Sequence, residues 1–384
     1  MRLLFVIPGL SGGGTERSLR ELVATLVHHD IDVSIVYMVQ RPTDDAARLE
    51  DVGARLHLVP KRRLDAHFLG IRQVIARERP DILHTSLYEA DIAGRVAAWR
   101  AGGGRPVVLS SIVNTSYDPA RLGDSNVPAW KLRGVRMVDG WTARNLTDHF
   151  HAVSRAVKDS AVQALGIDPT RVTVIERGRD PRRLGEPSSE RRTKARAALG
   201  LDPDAEVIVT VGRQEFQKGQ VHLVGAFDLL ARIRPHAELL IVGRNGNHSA
   251  QLEARVRESP YRERVRTLGH RDDVPDILAG ADLFVLPSIY EGFPGAAIEA
   301  MALGMPVVAS NLPTLREVVD DGRSGLLVPP CDHAQLAEAM SGVLDDPNLA
   351  RRLGDRGRDL FLTRLTAEQS HRRMIELYER LLVS

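Results

Sequence analysis

The feature that most constrains this chain is a regular alternation between short apolar runs, rich in β-branched residues, and longer amphipathic stretches. Most of the short runs are separated by helical patterns, such as Ser18–His28 and Val221–Arg234. Strands that alternate with helices predict parallel sheets with helices on both faces, so the expected fold class is α/β. The runs that fit strands are Leu3–Ile7, Val33–Tyr37, Arg55–Leu58, Ile82–His84, Val107–Ser111, Phe150–Val153, Val172–Ile175, Val207–Val211, Glu238–Val242, Val265–Leu268, Leu283–Leu286 and Val307–Ala309.

The alternation occurs twice, once from Met1 and again from about Val207. Between the two sets, residues 181–187 form the expected hinge, and Ser189 is the expected N-cap of a helix that runs to about Leu199. We therefore predict two doubly wound, Rossmann-like domains, residues 1–183 and 189–365, that face a cleft. A last helix over residues 366–384 has apolar residues at helical spacing, and the first domain is one candidate for its packing partner.

Composition excludes several classes of protein. Hydrophobic residues make up 43% of the 384 residues and charged residues 27%, so the chain is neither disordered nor collagen-like. A formal charge of only +2 argues against sequence-independent nucleic-acid binding. The single cysteine, Cys331, excludes an intramolecular disulfide and a cysteine-rich zinc site. The first apolar run is too short for a signal peptide and none suits a membrane-spanning helix, so we expect a soluble, cytoplasmic protein.

A glycine-rich segment, residues 8–17, follows the first predicted strand and precedes an amphipathic helix. Gly12, Gly13 and Gly14 would let the backbone approach a ligand closely, and a helix N-terminus favours phosphate. The segment lacks the dinucleotide glycine register and the P-loop lysine. The alternative is a plain turn between strand and helix.

Two further segments follow predicted strands of the second domain. In residues 211–219, Arg213 and Lys218 flank a short loop and would clamp a diphosphate, although two solvated cations are the alternative. In residues 287–301, Glu291 precedes Glu299 by eight positions, with a Gly-Phe-Pro-Gly loop between them. We expect Glu291 in the loop and Glu299 about one turn into a helix. The neighbours of Glu299 are apolar, so its carboxylate needs a partner or a function.

The chain resembles the retaining family-4 glycosyltransferases of the GT-B fold. The resemblance rests first on the two glutamates with seven residues between them, on a Glu-Gly-Phe loop. It covers essentially the whole chain, and the combination of its motifs is specific. The other matching segments are Gly13–Arg17, Val153–Val157, Gly178–Asp180, Gly212–Arg213, Lys218–Gly219, Val242–Gly243 and Leu268–His270.

The resemblance implies a nucleotide diphosphate sugar as donor and co-substrate, retention of anomeric configuration, and no cofactor or required metal. By motif position, Arg213 and Lys218 would hold the diphosphate, and Glu299 would accept hydrogen bonds from the ribose. Glu291 would contact the donor sugar. The remaining donor-side residues are the backbone of Phe293, Pro294 and Gly295, the base-bordering His270 and Arg271, and Gly13 and Gly14 of the glycine segment.

The chain departs from the family at one position. Many members have a histidine after the strand that corresponds to Val107–Ser111, close to the reacting sugar, and this chain has none there. Asn114 is the candidate for a hydrogen bond at that place, and His84, after the preceding strand, is a candidate for the acceptor side. The alternative for His84 is a structural role. The predicted catalytic set is therefore Glu291, Asn114 and His84.

Metal-binding patterns are weak. The Asp-x-Asp triplet at residues 30–32 precedes a predicted strand, and the one at residues 202–204 lies in a predicted turn. Neither position suits a metal site. His149 and His151 project to one side of a strand without a third ligand nearby, so we predict no metal site.

Other functions compete with glycosyl transfer. A sugar-nucleotide epimerase of the same fold and a non-catalytic nucleotide-sugar-binding protein stay open. A phosphorylase would need a pyridoxal-phosphate lysine, and the five lysines stand at positions 61, 131, 158, 194 and 218, the last of which already has a donor role. The missing glycine register disfavours a nicotinamide dehydrogenase.

The acceptor is a hydroxyl compound that the sequence does not identify: a glycan, a lipid-linked sugar or a small molecule. Acceptor loops are expected at residues 60–70 and 112–140. Trp130, Lys131, Arg133, Arg136 and Trp141 would suit stacking on a sugar, peripheral contact with anionic lipid at the inner membrane face, or a solvated irregular helix. The sequence leaves these alternatives and the oligomeric state open.

Overall fold

The computed structural model describes residues 1–10, 14–40, 45–60, 64–102, 104–124 and 128–383. The chain divides into two compact units. The first unit comprises Met1–Asp118, Val127–Gly178 and Ala367–Ser384, and the second comprises Pro119–Asn126 and Arg179–Thr366. No helix within the described ranges is long and apolar enough to cross a membrane.

The first unit contains a parallel seven-stranded sheet in the order β3-β2-β1-β4-β5-β6-β7. Its strands are β1 (Arg2–Gly9), β2 (Asp32–Val39), β3 (Arg55–Leu58), β4 (Ile82–Ser86), β5 (Val107–Ile112), β6 (His149–Ala152) and β7 (Val172–Val174). Its helices are α1 (Gly14–His28), α2 (Asp45–Asp51), α3 (Leu64–Glu78), α4 (Tyr88–Trp99), α5 (Ala129–Leu146), α6 (Arg155–Leu165) and, at the end of the chain, α16 (Ala367–Val383).

The core of the first unit lies on both faces of this sheet. Successive residues of a strand point to opposite faces, and β1 is buried on both. Phe5 packs in one cluster with residues of α1 and α16, whereas Val6 packs in the other with residues of α3 and α4. The C-terminal helix α16 therefore belongs to the first unit, because Met374, Leu377 and Tyr378 are buried in the cluster with α1.

The second unit contains a parallel six-stranded sheet in the order β10-β9-β8-β11-β12-β13. Its strands are β8 (Glu206–Val211), β9 (Ala237–Val242), β10 (Val265–Gly269), β11 (Leu283–Leu286), β12 (Val307–Ser310) and β13 (Leu326–Val328). Its helices are α7 (Pro181–Leu184), α8 (Ser189–Leu199), α9 (Gln220–Ala231), α10 (Ser249–Glu258), α11 (Val274–Gly280), α12 (Gly295–Ala302), α13 (Pro313–Arg316), α14 (His333–Asp345) and α15 (Pro347–Arg364).

Two local features of the second unit differ from the prediction. The strand β13 was not predicted; it lies directly between Gly325 and Pro329, and both residue types favour turns. The predicted N-cap of α8 was one residue late. The cap is Ser188, whose side chain accepts a hydrogen bond from the backbone N–H of Arg191 at 3.1 Å.

The predicted hinge contains the short helix α7. Arg179, which precedes it, groups with the second unit, whereas the prediction placed residues up to 183 in the first domain. The physical reason is that the backbone N–H of Arg179 donates to the carbonyl of Leu365 at 2.9 Å, and Arg179 pairs with Thr366 in an isolated bridge. Pro119–Asn126 also groups with the second unit.

Candidate functional site

The strand order of the second unit reverses between β8 and β11, which are direct neighbours in its sheet. In open parallel sheets, ligands bind at such a reversal, outside the carboxyl ends of the strands. The loop after β8 carries Arg213 and Lys218, and the loop after β11 carries Glu291. The fold therefore brings three of the predicted site residues to one edge of the sheet.

The two loops are joined by their backbones. The N–H of Ile289 donates to the carbonyl of Gln217 at 2.8 Å. Gly219 has a φ of 60°, and a Cβ at this position would lie 2.0 Å from the carbonyl oxygen of Pro287. Only glycine fits this close approach of one loop to the other. The lysine that precedes Gly219 is consequently held beside the β11 loop.

Glu291 is 6% exposed and forms an ion pair with Lys218, whose Nζ lies 2.6 Å from its Oε2. The Ser288 hydroxyl donates to the same oxygen at 3.3 Å, and the Gly292 N–H donates to Oε1 at 3.2 Å. The amide of Gln217 donates to Oε1 at 3.4 Å. The sequence analysis assigned Lys218 and Glu291 to different parts of a ligand and did not foresee that they contact each other.

Glu299 is the fifth residue of α12, about one turn into the helix, as the sequence predicted. It is 3% exposed, and the Nε of Arg179 donates to its Oε1 at 2.8 Å. Arg179 is itself buried, and a Cβ on Gly295 would lie 1.9 Å from its Nη2. The partner that this buried carboxylate requires is therefore Arg179, whereas hydrogen bonding to a ribose stays a prediction.

Arg179 is the main site residue that the sequence analysis missed. It stands inside the Gly178–Asp180 motif, which was noted only for its place at the hinge. The motif was the available signal, but no local pattern connects it with a glutamate 120 residues later. Its guanidinium packs against the first turn of α12.

The other predicted donor-side backbone lies at the start of α12, where Pro294 has no N–H to donate. Phe293 is buried, Pro294 is the residue before the helix, and no side chain caps this helix end. The N–H of Gly295 donates to the carbonyl of Phe293 at 2.9 Å. An uncapped helix N-terminus carries positive partial charge and favours an anion.

The remaining predicted donor residues are more exposed. The side chain of Arg213 is 55% exposed and lies 3.3 Å from a carboxylate oxygen of Glu215. His270 is exposed on the loop after β10. Its neighbour Arg271 binds both carboxylate oxygens of Asp273, at 2.8 and 2.6 Å, and these hydrogen bonds lower the pKa of Asp273.

Among the predicted residues of the first unit, Gly14 is the first residue of α1, and Gly13 lies outside the described residues. His84 lies in the middle of β4 and is 4% exposed. Its Nε2 lies 2.6 Å from the hydroxyl of Ser111, and its Nδ1 lies 2.7 Å from the hydroxyl of Tyr378. Both ring nitrogens thus have partners, which supports the structural alternative, and a role on the acceptor side stays a prediction.

The hydrogen-bond chain continues beyond His84. The hydroxyl of Ser111 lies 2.7 Å from Nδ1 of His151, whose Nε2 lies 2.9 Å from the carbonyl of Ile175. Burial, with His151 and Arg177 nearby, lowers the pKa of His84 to about 3. Burial also lowers the pKa of His151 to about 4. Both rings are therefore neutral near pH 7, and together with Arg177 and Ser86 they line a cavity of about 70 Å³.

Asn114 does not line the cavity that contains His84. It lines a second cavity of about 70 Å³ in the first unit, together with Tyr117 and Asp139. Its Oδ1 accepts a hydrogen bond from the N–H of Thr115 at 2.9 Å. The structure does not bring Asn114 and His84 into one cavity, although Ser111 lines both.

A buried polar network lies beside Asn114. Asp139 binds Nη1 of Arg95 at 2.6 Å and the hydroxyl of Tyr117 at 2.7 Å. Asp91 accepts a hydrogen bond from Thr85 at 2.6 Å. Burial, and to a lesser extent the nearby Asp139, raises the pKa of Asp91 to about 7 even though Arg95 opposes the shift.

The shifted pKa values of His84, His151 and Asp91 predict that the free energy of unfolding falls as the pH drops from about 6.5 toward 4. In that range His84 and His151 bind protons only when unfolded, whereas Asp91 binds one only when folded. Over these three groups the unfolded state gains a net proton, which contributes a fall in stability of about 1.4 kcal/mol per pH unit. Denaturant unfolding of the first unit as a function of pH measures this slope.

His84→Gln should make the slope shallower by about 1.4 kcal/mol per pH unit, because one fewer imidazole is then protonated only in the unfolded chain. Glutamine at the exposed His236 is the matched control for the substitution itself. An unchanged slope in His84→Gln would contradict the assignment.

Within the described ranges, no three His, Cys, Asp or Glu side chains gather closely enough to hold a metal ion. The two histidines that the sequence suggested as weak metal candidates, His149 and His151, have other partners. The ring of His151 contacts Ser111 and the carbonyl of Ile175. The Nε2 of His149 lies 2.8 Å from the hydroxyl of Thr173.

Solved structures share this fold. The Anabaena HepE protein in complex with UDP-glucose has a TM-score of 0.86 at 21% identity, over 99% of this chain and 100% of that chain. The sucrose-phosphate synthase of Thermosynechococcus elongatus has a TM-score of 0.83 at 23% identity, over 100% and 99%. These matches confirm the predicted fold class, the GT-B arrangement of two doubly wound α/β sheets.

Sequence relatives cover most of the chain. The alpha-maltose-1-phosphate synthase of Mycolicibacterium smegmatis is 30% identical over 327 residues, which is 79% of this chain and 80% of the relative. The UDP-Gal:alpha-D-GlcNAc-diphosphoundecaprenol alpha-1,3-galactosyltransferase of Escherichia coli is 25% identical over 351 residues, 89% and 87% of the two chains.

Two family models match consecutive parts of the chain. The model for Glycosyltransferase Family 4 matches residues 12–183. The model for Glycosyl transferases group 1 matches residues 191–360. With the full set of relatives and the fold, these matches show that the chain is a glycosyltransferase of family 4.

Proposed function

We propose that this glycosyltransferase moves a hexosyl unit from a nucleotide diphosphate sugar to an acceptor hydroxyl, with retention of anomeric configuration and without a metal ion. The observation that carries the proposal is the Lys218–Glu291 ion pair at the strand reversal of the second unit. In this proposal the cation would hold the diphosphate, and the buried carboxylate that it contacts would face the sugar. Family membership supports retention, and the acceptor class stays open.

The leaving diphosphate gains negative charge as the glycosidic bond breaks, and fixed positive groups stabilise that charge. Lys218 and Arg213 supply two cations on the loop after β8, and the uncapped N-terminus of α12 supplies backbone dipoles. In the ligand-free protein, Glu291 neutralises Lys218. A bound diphosphate would give the Lys218 ammonium a second anionic partner.

Glu291 has the complementary task in this proposal. Positive charge develops on the donor sugar as its bond to the diphosphate lengthens. A buried carboxylate beside that sugar would stabilise this charge more in the transition state than in the ground state. The hydrogen bonds from Ser288 and Gly292 hold the carboxylate in place before the donor arrives.

The names of the relatives favour a uridine nucleotide as donor. HepE was solved with UDP-glucose, and the Escherichia coli relative is named for UDP-Gal and a diphosphoundecaprenol-linked acceptor. A panel of UDP-hexoses is therefore the first choice for a donor test. The relatives are named as a synthase and a transferase, which favours neither the epimerase nor the non-catalytic alternative. The missing histidine after β5 is the feature that suggests the non-catalytic alternative.

The central test measures release of nucleotide diphosphate from each donor, with thermal shift as the binding readout. We expect donor binding to raise the melting temperature by mass action, with slow hydrolysis in the absence of acceptor. Lys218→Met should reduce donor affinity by about ten- to a hundred-fold, because a charge-assisted hydrogen bond is lost. Lys194→Met, at an exposed lysine on α8, is the control. Binding of every donor without release of diphosphate or transfer would contradict the enzymatic proposal.

Metal independence has its own test. Turnover should be unchanged in excess EDTA, because the proposed charge stabilisation comes from Lys218, Arg213 and α12. The measurement is the initial rate with EDTA, and then with added Mg²⁺ or Mn²⁺. Complete loss of activity that either ion restores would show that the proposal is wrong.

A further inference from the structure

The outer face of α5 carries an exposed apolar stripe. Trp130 is 76% exposed, Met137 is 75% exposed and Trp141 is 53% exposed. The positions follow each other by seven and four residues, so the three side chains lie within about 40° around the helix axis. Val138, beside them, is 49% exposed.

The stripe is not part of the core of the first unit. The opposite side of α5 already supplies the core contacts, since Thr142, Ala143 and Leu146 are buried. Large exposed aromatic residues grouped on one surface usually mark an interaction site. At the end of α4, which packs against α5, Trp99 is also 56% exposed.

The exposed charges of α5 are all positive. Arg133, Arg136 and Arg144 are exposed on the helix. Its one acidic residue, Asp139, is buried against Arg95 and therefore does not oppose them at the surface. The guanidinium groups of Arg136 and Arg144 donate to backbone carbonyls at the end of α6. These hydrogen bonds fix the two side chains, which keep their positive charge.

We propose that this face of α5 binds the surface of an anionic phospholipid membrane. Indole rings suit the boundary between headgroups and acyl chains, and guanidinium groups beside them suit lipid phosphates. A second copy of the chain fits less well. In a twofold dimer through this face, the arginines of one copy would lie close to those of the other copy, and their like charges would repel. The inference is independent of the donor chemistry proposed above.

The test is co-sedimentation of the full chain with vesicles of phosphatidylglycerol and phosphatidylcholine in equal parts, compared with phosphatidylcholine alone. We expect binding to the anionic vesicles that weakens at high salt. Trp130→Ala with Trp141→Ala should reduce the partition coefficient by about tenfold or more. Arg133→Glu, a surface change that spares the fold, should reduce it by about tenfold.

Matched controls come from the second unit, where Arg232 and Ile233 are exposed. Arg232→Glu and Ile233→Ala should bind anionic vesicles as the unmodified protein does. Donor hydrolysis without vesicles should be equal in the double tryptophan variant and the unmodified protein, which separates failure of lipid binding from failure of the donor proposal. Absence of binding to anionic vesicles, or variants that bind like the unmodified protein, would overturn the inference. So would a solution dimer that the tryptophan substitutions convert to a monomer.

Discussion

Glu291→Gln is expected to lower kcat by about 10²- to 10³-fold while donor affinity stays constant or rises. Glutamine keeps the shape of the side chain but removes the negative charge that would stabilise the developing positive charge on the donor sugar. It also removes the charge that neutralises Lys218 at 2.6 Å, which leaves the ammonium available to the diphosphate. Steady-state kinetics give kcat, and calorimetry gives the donor dissociation constant.

The matched control is Glu238→Gln, at a partly exposed glutamate of β9 whose carboxylate lies 3.7 Å from Arg266. The same chemical change there should leave kcat within about twofold of the unmodified enzyme. If Glu291→Gln retained full kcat, or if it lost donor affinity with kcat unchanged, Glu291 would not have the role assigned to it.

Arg179→Met should lower the free energy of unfolding far more than substitution of an exposed arginine does. It removes the guanidinium that pairs with the buried carboxylate of Glu299, and removal of one member of a buried ion pair costs about 3–5 kcal/mol. The change also removes the guanidinium that packs against Gly295 at the start of α12. Denaturant unfolding of the second unit measures the effect.

The double variant Arg179→Met with Glu299→Leu separates the two causes. Replacement of both charges by apolar side chains should recover most of the stability, since buried pairs are often no more stable than apolar substitutes. Arg262→Met, which breaks an exposed pair with Glu263 at 3.3 Å, is the control and should cost at most about 1 kcal/mol. A loss in Arg179→Met as small as in this control would show that the Arg179–Glu299 pair contributes little to stability.

Periodicity in the sequence was sufficient for most of the fold. Each predicted strand is present, and most of them are continuous apolar runs buried on both faces, whose signal is local. The glutamate motif also placed Glu291 in a loop and Glu299 on a helix, since a Gly-Phe-Pro-Gly segment is typical of a loop before a helix. The strand β13 was not predicted, because Gly325 and Pro329 on either side of it favour turns.

The partners of the site residues could not be predicted in the same way. Lys218 and Glu291 are separated by 73 residues, and Arg179 and Glu299 by 120. Which cation meets which carboxylate depends on strand order and on close backbone contacts such as that of Gly219 with Pro287.

Sequence patterns were sufficient for the α/β class, the two sheets, the family motifs and the edge of the sheet that carries the predicted donor residues. These properties follow from hydrophobic period and short motifs, which are encoded over a few neighbouring residues. Only the tertiary structure decided that His84 is enclosed by Ser111 and Tyr378, and that Glu299 has Arg179 as its partner. Burial and ion pairing are properties of residues brought together from distant parts of the chain, so no local pattern records them.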